Sequence, residues 1–283
     1  MSQKQRVGLV VVGFHSDEVW SAFFESLEKS SVVPDTVVVV ENSPEPAHLP
    51  EDSYSKDLVV MHRPDNPGYG AAINWGVTNL PEDTDYIIAC NPDLVMGPAA
   101  LATLLEALKN EKRAGIAGPK ILNSDGSLYP SARAFPGIRV GVGHALLGDL
   151  WKGNPWTRRY LGHYEGHAPR IVDWLSGACM VFTRQSFDSV GGFDEEYFMF
   201  LEDVDLCFRL KRHGWRSLYV PEAEIVHSGA HATGPVMRDM VKVHHESARK
   251  FLFRLYEGPL YWPLRQALRV GLWLRSLIAP LRY

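Results

Sequence analysis

Cysteine is scarce in this chain, with three residues in 283. Cys90, Cys179 and Cys207 are far apart and form no C-x-x-C pair, which excludes a disulfide framework and a cysteine-rich zinc cluster. The reducing cytosol is therefore the expected compartment. Because 46% of the residues are apolar, the chain can fill a hydrophobic core without such cross-links.

Long hydrophobic runs and an excess of positive charge are also missing. No apolar run approaches the ~18 residues of a membrane-spanning helix, and the run at residues 7–14 is too short for a signal peptide. We therefore expect neither a membrane span nor a leader. The 29 Lys plus Arg stand against 33 Asp plus Glu, which argues against a nucleic-acid partner.

Basic residues are concentrated at the end of the chain. From Arg249 onward there are seven basic residues and one acidic residue, interspersed with Trp and Tyr. This composition predicts an acidic globular domain over residues 1–235 and a basic, aromatic, helical and amphipathic tail over residues 236–283. Such tails are typical of membrane surfaces, so we expect peripheral association with the inner face of the cytoplasmic membrane. A helix packed on the domain or on another subunit is the alternative, and the oligomeric state stays open.

The first half of the chain has a βαβαβ pattern. Runs of mainly β-branched residues at 7–13, 36–40 and 85–90 predict buried parallel strands, and helical spacing follows the first run and recurs over residues 71–80. The pattern predicts an α/β fold with a Rossmann-like, mostly parallel sheet flanked by helices. Its ligand is expected at the carboxyl ends of the strands, in a nucleotide-binding half formed by residues 1–100.

The second half of this domain comprises residues 101–235. Residues 173–182 form another apolar run, a helix beginning near Val204 ends near Gly214, and residues 217–221 predict a late strand.

Polar residues follow two of the predicted elements. Asp93 lies directly after a strand, where one carboxylate and a divalent cation can bind phosphate oxygens; a helix cap is the alternative. The turn from Asn66 to Gly70 can bring backbone amides and a helix N-terminus close to an anion, although many such turns only join elements.

The densest acidic cluster lies among aromatic residues. It comprises Asp194, Glu195, Glu196, Glu202, Asp203 and Asp205. Apolar surroundings and neighbouring like charges raise the pKa of a carboxyl group and produce a general base, whereas a helix N-terminus lowers it. Simple helix caps are the alternative for Glu202 and Asp203. His227 follows a strand and can bind a metal, although packing is the commoner role of a single histidine.

Taken together and in order, these segments resemble the family 2 glycosyltransferases of the GT-A fold. The similarity covers residues 6 to about 235 and is carried by VVVGFHS, VVVVENSP, NPGYGAAINWG, DYIIACNPDL, DWLSGACMVFTR, VGGFDEEYFMFLEDVDL and IVHSGAH. The motif NPD, followed later in the chain by GGFDE, FMFLEDVDL and GW, is typical of the rhamnosyltransferase-like branch of this family. The resemblance implies inverting transfer of L-rhamnose from dTDP-β-L-rhamnose to a polyprenyl-diphospho-N-acetylglucosamine. That reaction builds the α-1,3-rhamnosyl linker of cell-wall arabinogalactan.

The resemblance also implies which residues bind the donor. They are Gly13, Glu41, Asn42, Asn66, Gly68, Asn74, Asn91 and Asp93. Position 41 is Glu where the family usually has Asp, and position 91 is Asn where many members have Asp. The second difference removes an anionic ligand, so metal affinity is expected to be weak without the sugar nucleotide.

The same resemblance implies that residues 101–235 form the acceptor-binding and catalytic half, and the remaining roles follow from it. Asp93 and His227 are expected to hold Mg²⁺ or Mn²⁺, and Asp203 is the expected general base beside Glu202. The residues expected to bind the acceptor are Asp205, Trp174, Arg158 and Arg159. The basic and aromatic segment from Arg133 to Arg159 is expected to receive the acceptor's diphosphate, with a plain surface loop as the alternative.

Another family 2 sugar transferase, using a different nucleotide sugar or a polysaccharide acceptor, is the alternative within the family. Two other classes of protein are also weighed against this interpretation. A sugar-phosphate nucleotidyltransferase should have a glycine-rich loop with Arg and Lys after the first strand, where this chain has GFHSDEVW. A catalytically silent nucleotide-sugar-binding module is expected to have lost its acids, yet Asp93, Glu202, Asp203 and Asp205 are all present.

Overall fold

The computed structural model describes residues 5–51, 53–137, 168–229 and 237–278; the predictions for Arg158 and Arg159 lie outside these ranges. The strands are β1 (Val7–Gly13), β2 (Thr36–Glu41), β3 (Asp57–His62), β4 (Tyr86–Cys90), β5 (Leu94–Met96), β6 (Ala114–Asn123), β7 (Leu128–Tyr129), β8 (Ala132–Arg133), β9 (Arg170–Val172), β10 (Trp174–Leu175), β11 (Cys179–Thr183) and β12 (Arg216–His227). The α-helices are α1 (Trp20–Glu28), α2 (Tyr69–Val77), α3 (Ala100–Asn110), α4 (Arg184–Ser189), α5 (Glu202–Arg212), α6 (Met237–Leu255) and α7 (Trp262–Ile278).

A mostly parallel sheet forms the centre of the molecule, in the order β3-β2-β1-β4-β11-β6-β12-β5. β1 pairs in parallel with β2 and β4, and β6 pairs in parallel with β12, whereas β11 runs antiparallel between β4 and β6. Every residue of β1, β2 and β4 is buried, as expected for parallel strands covered on both faces. The predicted α/β fold with a mostly parallel sheet is confirmed.

The two faces of the sheet are covered by different helices. On one face, α1 and α3 contribute Trp20, Phe23 and Leu104 to the core. On the other face, α2 and α5 contribute Ile73 and Leu206. Both helices of the second face begin at the carboxyl edge of the sheet, so their first turns lie beside the candidate site.

The late strand is longer than the pattern predicted. It was expected to end at Pro221, which has no backbone N–H to donate, but β12 continues to His227. A register shift between Val220 and Glu224 in its pairing with β6 accommodates the proline. Because of this irregularity the strand continues past the proline to the carboxyl edge of the sheet, where it ends at His227.

The predicted tail consists of two helices with different surroundings. In α6, Phe251 is fully buried against Tyr197 and Val204, so this helix packs on the rest of the molecule. After it, Leu260 is 91% exposed and Trp262 is 59% exposed. Within the described ranges, no helix has the length and apolar character to cross a membrane.

Arg254 of α6 fixes that helix to the loop before α5 and to α5 itself. Its guanidinium lies 2.7 Å from Asp194 Oδ2 and 2.5 Å from Asp205 Oδ1.

We expect Arg254→Met to lower the free energy of unfolding by about 2–3 kcal/mol, because the substitution leaves the buried Asp205 carboxylate with one cation fewer. Since Arg254 is partly exposed, this loss is below the usual range for a broken buried ion pair. Arg249→Met on the same helix is the control, since Arg249 forms no ion pair with a carboxylate among the described residues and its guanidinium lies over the Phe253 ring. Equal urea denaturation midpoints for the two variants would contradict the prediction.

Candidate active site

Buried acceptor groups lie where β1 and β2 end. Gly13 and Glu41 are in register, and a Cβ at Gly13 would lie 2.5 Å from Glu41 Oε2, so only glycine fits there. Glu41 is 1% exposed, and its Oε1 accepts a hydrogen bond of 2.9 Å from the Ser43 N–H. Its Oε2 has no hydrogen-bond partner among the described residues. A buried carboxylate oxygen of this kind requires a donor from a ligand or water.

Asn42 adds a second acceptor of the same kind. Its backbone N–H donates to Gly13 O (2.8 Å), and its side-chain Nδ2 donates to Asn66 Oδ1 (3.3 Å). The side-chain Oδ1 is buried and lacks a partner in the described part of the chain. Glu41 and Asn42 thus present two acceptors to a ligand with N–H or O–H groups, and a nucleoside has both.

The glycine turn after β3 touches the loop that precedes α5. Gly68 has φ 97°, and a Cβ at this position would lie 2.1 Å from Phe198 O. The next residue, Tyr69, donates its backbone N–H to the same carbonyl over 3.2 Å. The turn therefore packs directly against the chain that leads to the acid pair.

Asn74, which was predicted to bind the nucleotide, contacts protein on both sides of its amide. Its Oδ1 accepts from the Phe193 N–H (2.8 Å), and its Nδ2 donates to Phe193 O (2.9 Å) and to Glu195 Oε1 (3.0 Å). These bonds join α2 to the loop over residues 193–195. In this structure Asn74 supports that loop.

Asp93 and His227 come together as the sequence predicted, because β5 and β12 are paired. His227 Nε2 lies 3.1 Å from Asp93 Oδ1, and both side chains are largely buried. The Gly229 N–H donates to Asp93 Oδ2 over 3.1 Å, which fixes the carboxylate. Asn91 Nδ2 lies 3.5 Å from the same imidazole nitrogen.

This pair fits a divalent cation that is shared with a ligand. Carboxylate oxygen suits Mg²⁺ and Mn²⁺, and a neutral imidazole adds one nitrogen. No group of three or more His, Cys, Asp or Glu residues arranged for a metal occurs in the described ranges. A cation held by this pair would take further ligands from phosphate oxygens and water, as is usual for Mg²⁺ bound with a diphosphate.

Glu202 and Asp203 form the first turn of α5. They follow Phe200 (φ 65°) and Leu201 (φ 61°), two consecutive non-glycine residues in the left-handed region, which is a strained arrangement typical of functional sites. Asp203 Oδ2 accepts from the Gly177 N–H (2.9 Å), and Asp203 Oδ1 accepts from the Val204 N–H (2.7 Å). The side chain is therefore held in one orientation.

The segment around Gly177 connects the acid pair to the Asp93 region. The Tyr69 hydroxyl donates to Gly177 O over 2.7 Å, while the adjacent Ala178 O accepts from the Asn91 N–H at 3.0 Å. One short segment thus contacts both the residue that follows β4 and the carboxylate on α5. A cation at Asp93 and a base at Asp203 would act on neighbouring parts of one substrate.

The environment of the acid pair makes it basic. Burial, and then the neighbouring Asp203 charge, raise the pKa of Glu202 to about 8. Burial also raises the pKa of Asp203, while N–H groups of Gly177 and Val204 and the positive charge of Arg133 lower it. Glu202 Oε2 is buried without a partner among the described residues. Burial and the mutual repulsion of the two charges therefore favour a form of the pair in which one carboxyl group is protonated.

The raised pKa of Glu202 has a consequence for stability. An unfolded Glu202 has its ordinary pKa of 4.5, so the stability that comes from the neutral buried carboxyl is complete below that pH and is lost as the pH rises toward about 8. We expect Glu202→Gln to remove this dependence, so that melting temperatures measured from about pH 5 to about pH 9 fall less than in the wild type. Parallel curves for the two proteins would contradict it.

Two residues expected to bind the acceptor occupy different surroundings. Asp205 is fully buried, and its two oxygens pair with Arg209 (2.7 Å) and Arg254 (2.5 Å), so its carboxylate is used inside the protein. Trp174 donates its Nε1–H to Ala134 O (2.9 Å) and lies beneath the guanidinium of Arg133. Of the two, only Trp174 lies on the strand that leads to Gly177.

Sequence reasoning did not identify Tyr69, Gly177 or Arg133 individually as site residues. Tyr69 and Gly177 belong to the quoted NPGYG and DWLSGAC motifs, but they are 108 positions apart and nothing local indicates that they meet. Arg133 belonged to the predicted basic segment without being distinguished within it. Its position at the start of the segment predicted to receive the acceptor's diphosphate was the available signal.

Solved structures of other proteins share the fold of this chain. GalNAc-T7 with UDP, GalNAc and Mn²⁺ superposes with a TM-score of 0.58 at 16% identity, over 97% of this chain and 57% of the other. The mannosyltransferase PcManGT of Pyrobaculum calidifontis, with GDP-Man and Mn²⁺, gives 0.56 at 13% identity, over 97% and 71%. The fold is that of the GT-A glycosyltransferases.

Sequence comparison then gives the family. Residues 5–255 match the model described as glycosyltransferase like family 2, and the chain belongs to this family, as its motifs predicted. It is 44% identical over 220 residues to the N-acetylglucosaminyl-diphospho-decaprenol L-rhamnosyltransferase of Mycobacterium tuberculosis, covering 75% of this chain and 72% of the relative. The rhamnosyltransferase WbbL of Escherichia coli K12 is 30% identical over 175 residues, covering 62% and 64%. The chain is a glycosyltransferase.

Proposed function

We propose that this enzyme is an inverting rhamnosyltransferase that moves L-rhamnose from dTDP-β-L-rhamnose to a polyprenyl-diphospho-N-acetylglucosamine. The product would carry the α-1,3-rhamnosyl linker of cell-wall arabinogalactan. The observation that carries the proposal is the 44% identity to the mycobacterial enzyme over three quarters of the chain. The buried acid pair and the Asp93–His227 pair supply groups that this chemistry needs.

The donor is assigned to the carboxyl edge of the sheet. Glu41 Oε2 and Asn42 Oδ1 would accept hydrogen bonds from the base and ribose, which satisfies both buried oxygens. Asp93 and His227 would hold Mg²⁺ or Mn²⁺. When bound, this cation supplies positive charge that stabilises the departing nucleoside diphosphate.

Asp203 is proposed to act on the acceptor. Its carboxylate, oriented by Gly177 and Val204, removes the proton from the acceptor hydroxyl as that oxygen attacks the anomeric carbon. The bond between this carbon and the diphosphate breaks on the opposite face, so a β-linked donor gives an α-linked rhamnoside. Glu202, neutral near pH 7, avoids a second negative charge beside the base.

A donor panel tests the proposal. The protein is incubated with dTDP-rhamnose, UDP-glucose, UDP-galactose and GDP-mannose, each with a short-chain lipid-diphospho-N-acetylglucosamine. Product formation is followed by mass spectrometry, and the linkage is determined by NMR. We expect transfer from dTDP-rhamnose with α configuration. Preferred transfer of another sugar, or retention of the β configuration, would overturn the assignment of donor or stereochemistry.

We also propose that the region after Gly258 binds the membrane that holds the acceptor. Leu260, Tyr261 and Trp262 are exposed there, and Arg265 and Arg269 follow on α7. Each basic residue near an anionic leaflet contributes ~1 kcal/mol. Truncation after Gly258 is expected to abolish co-sedimentation with anionic liposomes and to impair transfer to long-chain acceptors, while transfer to a short-chain acceptor continues. Equal liposome binding by truncated and full-length protein, both folded by circular dichroism, would contradict this.

A further inference from the structure

Arg133 has terminal nitrogens without a hydrogen-bond or ion-pair partner in the described part of the protein. It lies on β8 and pairs across a two-stranded sheet with Trp174 of β10. Its Nε–H donates to Pro130 O over 2.8 Å, and its guanidinium lies 5.3 Å from the centre of the Trp174 ring. Among the described residues, its two terminal nitrogens have no hydrogen-bond acceptor and no carboxylate forms an ion pair with it.

The surroundings of Arg133 hold the guanidinium in place. The Pro130 carbonyl accepts a hydrogen bond from Nε of Arg133, and the Trp174 indole limits movement of the guanidinium plane. The indole is itself held by the hydrogen bond from its Nε1–H to Ala134 O. An arginine held in this way loses little further conformational entropy when it binds a ligand, and its two outer N–H groups match two oxygens of a phosphate. Such a group is typical of phosphate recognition.

Arg133 also lies next to the catalytic segment. The strand that it pairs with, β10, ends at Leu175, and the chain continues through Ser176 to Gly177, which binds Asp203. The Ser176 N–H bonds to Ser131 O over 2.8 Å, so the Arg133 strand and the Gly177 segment stay side by side. The positive charge of Arg133 is close enough to lower the pKa of the Asp203 carboxyl.

We propose that the terminal nitrogens of Arg133 bind the diphosphate of the lipid-linked acceptor, with Trp174 as the platform that holds the guanidinium. This inference rests on the proposed function for the identity of the acceptor. The acceptor sugar presents its hydroxyl to Asp203, and its diphosphate begins on the same sugar ring. The donor diphosphate belongs to Asp93 and His227, which lie beside β5 and on β12.

Acceptors with and without the diphosphate test the proposal. Arg133→Gln, Arg133→Lys and the control Arg216→Gln are assayed with a short-chain lipid-diphospho-N-acetylglucosamine and with the uncharged octyl glycoside of the same sugar. Arg216 carries a surface ion pair with Glu111 and lies outside the site. We expect Arg133→Gln to lower kcat/KM about 100-fold for the diphosphate acceptor, the effect of losing two charge-assisted hydrogen bonds. The loss for the octyl glycoside should be far smaller, because the variant acts on that acceptor only through the pKa of Asp203. Arg133→Lys should recover part of the loss.

Other outcomes overturn the proposal. An equal loss for both acceptors, with a shifted pH profile, would mean that Arg133 acts only on Asp203. If Arg133→Gln raises the KM for the donor and leaves the KM for the acceptor unchanged, Arg133 binds the donor and not the acceptor. Calorimetric titration of the lipid-diphospho-sugar in the absence of donor separates this inference from the proposed function, because it requires no rhamnose transfer. Equal affinities of wild type and Arg133→Gln in that titration would reject the subsite.

Discussion

Asp203→Asn is expected to lower the rate of sugar transfer by about 10²- to 10⁴-fold, the range for loss of a general base. Asparagine preserves the shape of the side chain and can still accept the Gly177 N–H, so the orientation of the residue is retained. It cannot take up the proton of the acceptor hydroxyl. Donor affinity should stay within a few fold, because the donor contacts are proposed at Glu41, Asn42 and Asp93. The measurements are kcat with saturating substrates and the Kd for the sugar nucleotide.

Glu202→Gln is the matched control for this prediction. Glutamine resembles the protonated form of Glu202, which burial and the neighbouring Asp203 favour by raising the pKa of this carboxyl group. This variant should therefore retain far more activity than Asp203→Asn. A dead Glu202→Gln together with a nearly native Asp203→Asn would reverse the roles of the two acids. Donor hydrolysis in the absence of acceptor also distinguishes an enzyme from a silent sugar-nucleotide-binding module.

The predictable part of the fold is the part with a strong local pattern. β1, β2 and β4 are continuous buried runs, and the sequence located each to within one residue. β3 was missed although Leu58, Val59, Val60 and Met61 are apolar, because it is an edge strand with polar or charged ends and partial exposure. Its pairing with β2 supplies the hydrogen bonds that the local pattern does not indicate.

The acid pair was predictable for a different reason. Six carboxylates among aromatic residues are not typical of a solvated surface, so the composition of the cluster by itself indicated a special environment. The different uses of the individual carboxylates within this cluster were not predictable. Asp205 lies two residues from Asp203, yet it is used to bind Arg209 and Arg254, and Arg254 is 49 positions away. Long-range ion pairs of this kind leave no local pattern in the sequence.

The helix that holds Arg254 also changes how the tail is understood. Composition predicted one basic tail from residue 236, but α6 buries Phe251 and the family match extends to residue 255. The Ser247 hydroxyl donates to Met199 O over 2.8 Å, beside the strained turn at Phe200. This helix therefore supports the turn that presents Glu202 and Asp203. The membrane-binding property is proposed only for the segment after Gly258.

Chelation of divalent cations is expected to lower transfer by about 10²- to 10³-fold, since a cation contributes several kcal/mol to stabilising the charge of a leaving diphosphate. Asp93→Ala and His227→Ala should show comparable losses, because each removes one of two protein donors that lie 3.1 Å apart. Asp125→Ala is the control, since Asp125 is an exposed carboxylate in the turn between β6 and β7. Full turnover in EDTA by a demetallated sample would contradict the metal assignment.

The two-donor site also predicts how cation and donor depend on each other. On the proposed assignment, Asp93 and His227 alone would bind a cation weakly, and phosphate oxygens of the sugar nucleotide would supply further ligands. Because coupling between two ligands is reciprocal, the cation concentration that gives half-maximal activity should fall as the donor concentration rises, and the donor Kd should rise when cation is withdrawn. In Asp93→Ala this mutual dependence should disappear together with activity, whereas the Asp125→Ala control should retain it. Cation and donor titrations that are independent of each other in the wild type would show that the two do not share Asp93, and the charge of the leaving diphosphate would then have to be stabilised by protein groups alone.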